Sequence, residues 1–141
     1  DTMQAVHTLK EKYADRIDFS KGIGATGHSL GGATAYYLCH HEEDFVCGIN
    51  IDGGVFGEYD GMIMKKPFLQ ICCKENYNVE TRSLIATEAP AQCEIFEDMK
   101  HLGFTDAKFY IPFKSLAGKM PPLKMHERLS KLHLEFFGKY L

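Results

Sequence analysis

The run Gly27-His28-Ser29-Leu30-Gly31 constrains this chain more than any other feature. It lies between a short apolar stretch, Ile23 to Thr26, and a segment from Ser29 to about His41 that reads as a helix. A serine that ends a strand and opens a helix must sit in a sharp turn, which lifts its hydroxyl clear of the sheet. The residues two positions to either side must be small, and Gly27 and Gly31 meet that demand. Gly32 adds room for close packing of the helix, and His28 flanks the serine as a residue that shapes the turn. A hydroxyl is a poor nucleophile until a base removes its proton. At a helix N-terminus, free N–H groups favour developing negative charge. The N–H of Leu30 is the expected first donor to an oxyanion.

One other pattern competes for these residues. Gly22-Ile23-Gly24-Ala25-Thr26-Gly27 matches the dinucleotide fingerprint, and Asp52 closes the following apolar run as its acidic residue would. That fingerprint needs a buried strand before the first glycine. Arg16-Ile17-Asp18-Phe19-Ser20-Lys21 stands there instead, polar and turn-like, so the serine turn is the preferred reading.

The rest of the chain alternates between helix and strand patterns. Met3, Val6, Leu9 and Tyr13 recur at helical spacing from Thr2 to about Ala14. Asp15 to Lys21 is a polar connector. Phe45 to Ile51 is an apolar strand ending at Asp52, followed by a loop with glycines at 53, 54, 57 and 61. Pro67 introduces a second strand, Phe68 to Cys73. Residues 79 to 88 read as helix and Gln92 to Phe96 as a short strand, while Phe104 to Phe113 fits neither period. Pro121 and Pro122 precede a terminal helix whose apolar face is Met125, Leu129, Leu132 and Phe136. Alternation of this kind predicts an α/β domain, with a mostly parallel sheet between two layers of helices. In such sheets, function gathers at the C-terminal ends of the strands. Those ends carry Ser29, Asp52, Glu75 and His101.

Composition narrows the function classes. With 141 residues, 45% hydrophobic and 25% charged, the chain is one globular domain at most. A net charge of −3 without a basic stripe argues against nucleic-acid binding. No apolar run has the length of a transmembrane helix. Cys39, Cys47, Cys72, Cys73 and Cys93 lack zinc-site or disulfide spacing and read as reduced core residues. They favour a cytoplasmic setting. The sequence opens in what reads as a helix already under way, so the N-terminus and any signal or anchor are expected to lie outside it.

The base and acid follow from order. In hydrolases with this serine turn the chain order is serine, then Asp or Glu, then histidine. His101 is the histidine in a strand-end loop downstream of both acids. His126 and His133 fall in the terminal helix, His40 and His41 end the helix after Ser29, and His7 reads as a surface residue. The acid must accept the second ring N–H of the base and hold its tautomer. Asp52 is short and directly ends an apolar strand. Glu75 ends the next strand, where most such hydrolases place the acid. The residues alone leave both open.

From Gly27 onward the chain resembles the platelet-activating factor acetylhydrolase family of α/β-hydrolases. The stretches that carry the resemblance are Gly-His-Ser-Leu-Gly-Gly-Ala-Thr-Ala at 27–35, Cys-Gly-Ile-Asn-Ile-Asp at 47–52, and His101 with Phe104 and Asp106. After Asp52, Gly53-Gly54-Val55-Phe56 departs from the bulkier aromatic run of better-known members. The resemblance implies the C-terminal half of the fold, with Ser29 as nucleophile, His101 as base and Asp52 rather than Glu75 as acid. It implies a serine esterase acting on a small-molecule or lipid ester, with no metal or organic cofactor. It also implies that the strand before Ser29 pairs with an N-terminal half of the protein, or another covering segment, which supplies the second oxyanion donor. Other acyl chemistry on the same residues (a thioesterase, polyester hydrolase or peptidase) and a non-catalytic binding module are the alternative functions.

Overall fold

Two of the strands are apolar along nearly their whole length, and that fixes where they lie. β2 (Phe45–Ile51) and β3 (Phe68–Cys73) are buried on both faces, as expected of interior strands of a parallel sheet. The computed structural model describes residues 2–55, 63–80, 87–110 and 113–141. Among them, β1 (Ile23–His28), β2, β3 and β4 (Ala91–Phe96) form one sheet in the order β1-β2-β3-β4, with every pairing parallel. The outer strands β1 and β4 are only partly buried.

Helices cover both faces. α1 (Thr2–Tyr13) and α2 (Leu30–His41) close one side, where Val6, Ala35, Tyr36, Leu38 and Cys39 pack with Phe45, Met64 and Phe68. The other side is closed by the long α5 (Pro122–Tyr140), through Met125 and Phe136 against Ile49, Ile51, Leu69, Ile71 and Phe96. Leu129 and Leu132 border this core. Side chains on a strand point alternately to the two faces. Accordingly Cys47, Ile49 and Ile51 face the α5 side, while Gly48 and Asn50 face α2. Gly48 is required there: a side chain on it would meet the Cys39 sulfur and the Phe68 ring.

Pro122 is the first residue of α5, where a missing N–H costs nothing. Arg128 fastens this helix to β4. Its Nη2 donates to Glu94 Oε2 at 3.2 Å and to the Ile95 carbonyl at 3.3 Å, and its guanidinium lies 3.9 Å above the Phe96 ring. At the other end His133 Nδ1 donates to the Leu129 carbonyl at 2.7 Å, leaving Nε2 to accept the Thr26 hydroxyl of β1 at 3.0 Å.

Three expectations change. The apolar stripe of α1 is buried only at its start, because Leu9 and Tyr13 are each 41% exposed. The helix expected over 79–88 is present as α3 (Tyr77–Glu80); 81–86 lie outside the described residues. It does not reach Thr87, which forms a parallel bridge to Met64. The Thr87 hydroxyl bonds the Met64 and Ala89 carbonyls, so a side chain satisfies the backbone just ahead of Pro90. The ambiguous stretch after β4 is two 3-10 turns, His101–Phe104 and Asp106–Phe109, followed by the short α4 (Lys114–Ala117). All five cysteines are free, and all but Cys93 are buried. Glycines 57 and 61 fall outside the described residues.

This packing makes α5 a main contributor to stability. Met125→Ala should cost about 2–5 kcal/mol, because the side chain is fully buried beneath the sheet. Urea unfolding with an unchanged m value checks this. A loss under about 0.5 kcal/mol, typical of surface substitutions, would show that α5 is not part of the core.

Candidate active site

The strand-to-helix turn takes the form the sequence requires. Ser29 follows β1 directly and adopts φ 56°, ψ −122°, a strained region for a residue with a side chain. Such strain costs on the order of 1–3 kcal/mol. The ladder on both sides holds it. The Ser29 N–H donates to the Ile51 carbonyl at 2.9 Å, and its carbonyl accepts the Ala33 N–H at 3.1 Å. The sheet therefore runs into the helix without a spare residue. A side chain on Gly27 would collide with the carbonyl of Gly31, and one on Gly32 with Asn50 Oδ1. Gly31 differs from expectation: its own Cβ would meet open space, so the close approach is to its backbone. Leu30 is the first residue of α2, where N–H groups have no partner within the helix, and its side chain is 78% exposed. The glycines of the dinucleotide pattern lie within or before β1 and not in a strand-to-helix loop, which removes that reading.

Asp52 ends β2 in a second strained conformation, φ 51°. Its side chain is fully buried. A buried carboxylate must be paired and hydrogen-bonded to stay charged. Here Oδ1 accepts the Cys73 N–H at 2.7 Å, and Oδ2 accepts His101 Nδ1 at 2.7 Å and Asn76 Nδ2 at 2.9 Å. The Cys73 thiol lies 3.5 Å from Oδ2. Burial pushes that thiol up to about 11, so it remains a neutral donor. The Asp52 N–H donates to the Ile71 carbonyl at 2.7 Å. Asn50, also fully buried, clamps the turn from below: its Nδ2 donates to the Gly53 carbonyl at 2.7 Å, and its Oδ1 accepts the Gly53 N–H at 2.9 Å. Glu75, the other candidate acid, is 61% exposed and pairs with Lys100. It does not join this cluster.

His101 opens the first 3-10 turn after β4. Its Nε2 lies 3.0 Å from Ser29 Oγ while its Nδ1 bonds Asp52. With Nδ1–H donated to a carboxylate, Nε2 is left to accept the serine proton. In the next turn Lys108 donates its buried ammonium to the carbonyls of Ala117 at 2.6 Å and Gly118 at 3.0 Å, tying that turn to the end of α4. A side chain on Gly103 would strike the Ala117 carbonyl. Three other histidines are engaged elsewhere: His126 with Asp106 at 3.0 Å, His7 with Glu11 at 3.1 Å, and His133 as described above. Among the described residues no group of three or more His, Cys, Asp or Glu could hold a metal ion. Likewise no helix there is long and apolar enough to cross a membrane.

Ser29, His101 and Asp52 are thus brought together. Asn50, Asn76, Cys73 and Lys108 were not anticipated. One signal was available, because Asn50 is a polar residue inside an otherwise apolar buried strand.

Two histidines give the domain an acid-side liability. Burial lowers His28, with the neighbouring His101 adding to the effect; burial lowers His40, with His41 and Lys66 adding. Both therefore take up a proton at lower pH in the fold than in the unfolded chain, where the ordinary value is about 6.5. Their contribution to stability is therefore complete above that pH and is lost as pH falls through the depressed values. A His28→Phe, His40→Phe double variant should show a smaller drop in Tm between pH 7 and pH 5 than the parent chain. Equal drops would show that neither histidine is held neutral.

The model of the family described as platelet-activating factor acetylhydrolase, isoform II, matches residues 4–118, which include all three clustered residues. No curated protein matches the chain. Among solved structures, a ferulic acid esterase from Streptomyces cinnamoneus superposes with a TM-score of 0.80 at 22% identity, over 89% of this chain and 42% of the esterase. An acylaminoacyl peptidase from Pyrococcus horikoshii gives 0.65 at 19% identity, over 97% of this chain and 26% of the peptidase. A dienelactone hydrolase from Anabaena variabilis gives 0.61 at 15%, over 98% of this chain and 68% of that hydrolase. The chain thus spans less than half the length of the first two. These likenesses establish the α/β-hydrolase fold. With a family model covering most of its length, the chain belongs to the platelet-activating factor acetylhydrolase isoform II family.

Proposed function

We propose that this chain carries the catalytic core of a serine-dependent carboxylic ester hydrolase. Ser29 is the nucleophile, His101 the base, and Asp52 the carboxylate that orients the imidazole and stabilises its charged form. The observation that carries the reading is the unbroken line from Ser29 Oγ to His101 Nε2 at 3.0 Å and from His101 Nδ1 to Asp52 Oδ2 at 2.7 Å. Family membership supports hydrolase chemistry, and the family's description supports a short acyl group such as acetyl.

In the proposed reaction His101 Nε2 takes the Ser29 proton as Oγ attacks the ester carbonyl carbon. The carbonyl oxygen becomes an oxyanion beside the Leu30 N–H at the head of α2. His101 then gives its proton to the departing alkoxide, leaving an acyl ester on Ser29. Water enters, His101 takes a proton from it, and the carboxylic acid is released as Ser29 regains its hydrogen. His101 moves each proton, so the scheme as written calls for no cofactor.

The proposal also includes a segment that covers β1. Among the described residues β1 pairs with β2 alone. A groove of about 440 Å³ beside it is lined by Thr2, Gly24, Thr26, Thr34, Leu38 and Phe45, among others. An open parallel edge leaves backbone N–H and C=O groups without partners. Residues of the same protein N-terminal to this sequence are the proposed cover, and the second oxyanion donor would come from them. The 141 residues are on this view the C-terminal half of one catalytic domain, without its N-terminal strands.

In the full-length protein, Ser29→Ala should lower turnover of a short-chain nitrophenyl ester by about 10⁶. Asp52→Asn should lower kcat by about 10⁴, because the amide favours the wrong tautomer of His101. Glu75→Gln should leave kcat near the parent value. Near-normal activity in Asp52→Asn together with loss in Glu75→Gln would move the acid role to Glu75.

A further inference from the structure

His28 stands beside the nucleophile, yet its side chain reaches the base and not the serine. Gly24, Thr26 and His28 alternate onto the face of β1 that α5 covers, as the contacts of Gly24 with Phe137 and of Thr26 with His133 show. From there His28 Nε2 lies 3.0 Å from the main-chain carbonyl oxygen of His101. A carbonyl can only accept, so Nε2 must carry the hydrogen and donate it. The two imidazole rings lie 4.5 Å apart between centroids, tilted by 35°, and the Phe104 ring lies 6.3 Å from that of His28.

The consecutive residues His28 and Ser29 therefore meet His101 at two separate points. Ser29 meets its ring, and His28 meets its backbone. His101 lies in a 3-10 turn whose preceding residue, Lys100, provides no side-chain cap, and its own side chain is 40% exposed. We infer that His28 is a positioning residue, whose Nε2–H fixes the backbone of His101 and so sets the distance from Nε2 of the base to Ser29 Oγ. The inference rests on the serine-hydrolase reading and deepens it. His28 touches no substrate in this scheme; it acts through His101.

Charge bears on the same point. The groups that face His28 are His101 and, beyond it, Asp52; Phe104 is apolar. In the proposed reaction His101 becomes an imidazolium. A proton on His28 would place a second cation 4.5 Å away and oppose that step. Burial lowers the His28 pKa below the ordinary histidine value, which disfavours that second cation.

Two variants separate the parts of this role. His28→Phe keeps a flat ring and removes the donor; His28→Gln places an amide N–H near the position of Nε2. In the full-length protein, with a short-chain nitrophenyl ester, His28→Phe should lower kcat by about 10- to 100-fold and leave KM unchanged, as expected for a base held slightly out of place. His28→Gln should recover most of that loss. Circular dichroism and Tm establish that each variant is folded. A His28→Phe kcat equal to the parent value overturns the inference, as does a His28→Gln variant that is folded but as slow as His28→Phe. A rise in KM alone would make His28 a substrate contact and also overturn it. The underlying reading fails differently: the parent protein would then be no faster than its Ser29→Ala variant.

Discussion

The buried carboxylate of Asp52 is the interaction on which the rest of this site depends. Removing such a group from water costs several kcal/mol unless donors replace its hydration. Three N–H donors do so, from three places: the Cys73 backbone at the end of β3, the Asn76 side chain in the following turn, and the His101 ring after β4. The need to satisfy one charge therefore gathers the C-terminal ends of β2 and β3 and the loop after β4. His101 is held in its tautomer by the same bond, and through it Ser29 of β1 is included. Loss of any one donor leaves the others to carry a less well solvated ion.

Strain is concentrated at two residues, and both are in this cluster. Ser29 and Asp52 are the non-glycine residues with positive φ among those described. They end adjacent parallel strands, and each is held by a ladder bond to the next strand: Ser29 N–H to Ile51, and Asp52 N–H to Ile71. One buried side chain serves both turns. Asn50 bonds Gly53 across the Asp52 turn and lies against Gly32 in the first turn of α2. A bulkier residue at 32 or 53 would push on this amide and shift both turns together.

Much of this was legible in the sequence, for identifiable reasons. Continuous apolar runs in β2 and β3 and the glycines around Ser29 leave few alternatives, and the strand bounds at Phe45–Ile51 and Phe68–Cys73 follow from them. His101 is marked by its place after the last strand. The choice between Asp52 and Glu75 was not legible from residue type, because both end strands. The two differ in space, which supports Asp52 in the proposed reading: Asp52 is buried against His101, and Glu75 pairs with Lys100 near the surface. Asn76, Lys108 and the bond from His28 to the His101 backbone depend on tertiary contacts up to 73 residues apart, and no local pattern announces them. The helix expected to run through 87–88 failed because the Thr87 hydroxyl and Pro90 favour a turn into β4.

The fold explains why so short a chain can hold all three groups. Parallel strands place their C-terminal ends on one side, so residues 29, 52 and 101 meet there. In the proposed reading this meeting activates Ser29. Reaction of the full-length protein with a fluorophosphonate probe, followed by mass spectrometry of its peptides, tests it most directly. One phosphonyl adduct is expected, on Ser29, formed by the folded protein and abolished when it is denatured. An unmodified Ser29 in the folded, probe-treated protein would contradict the proposed reading.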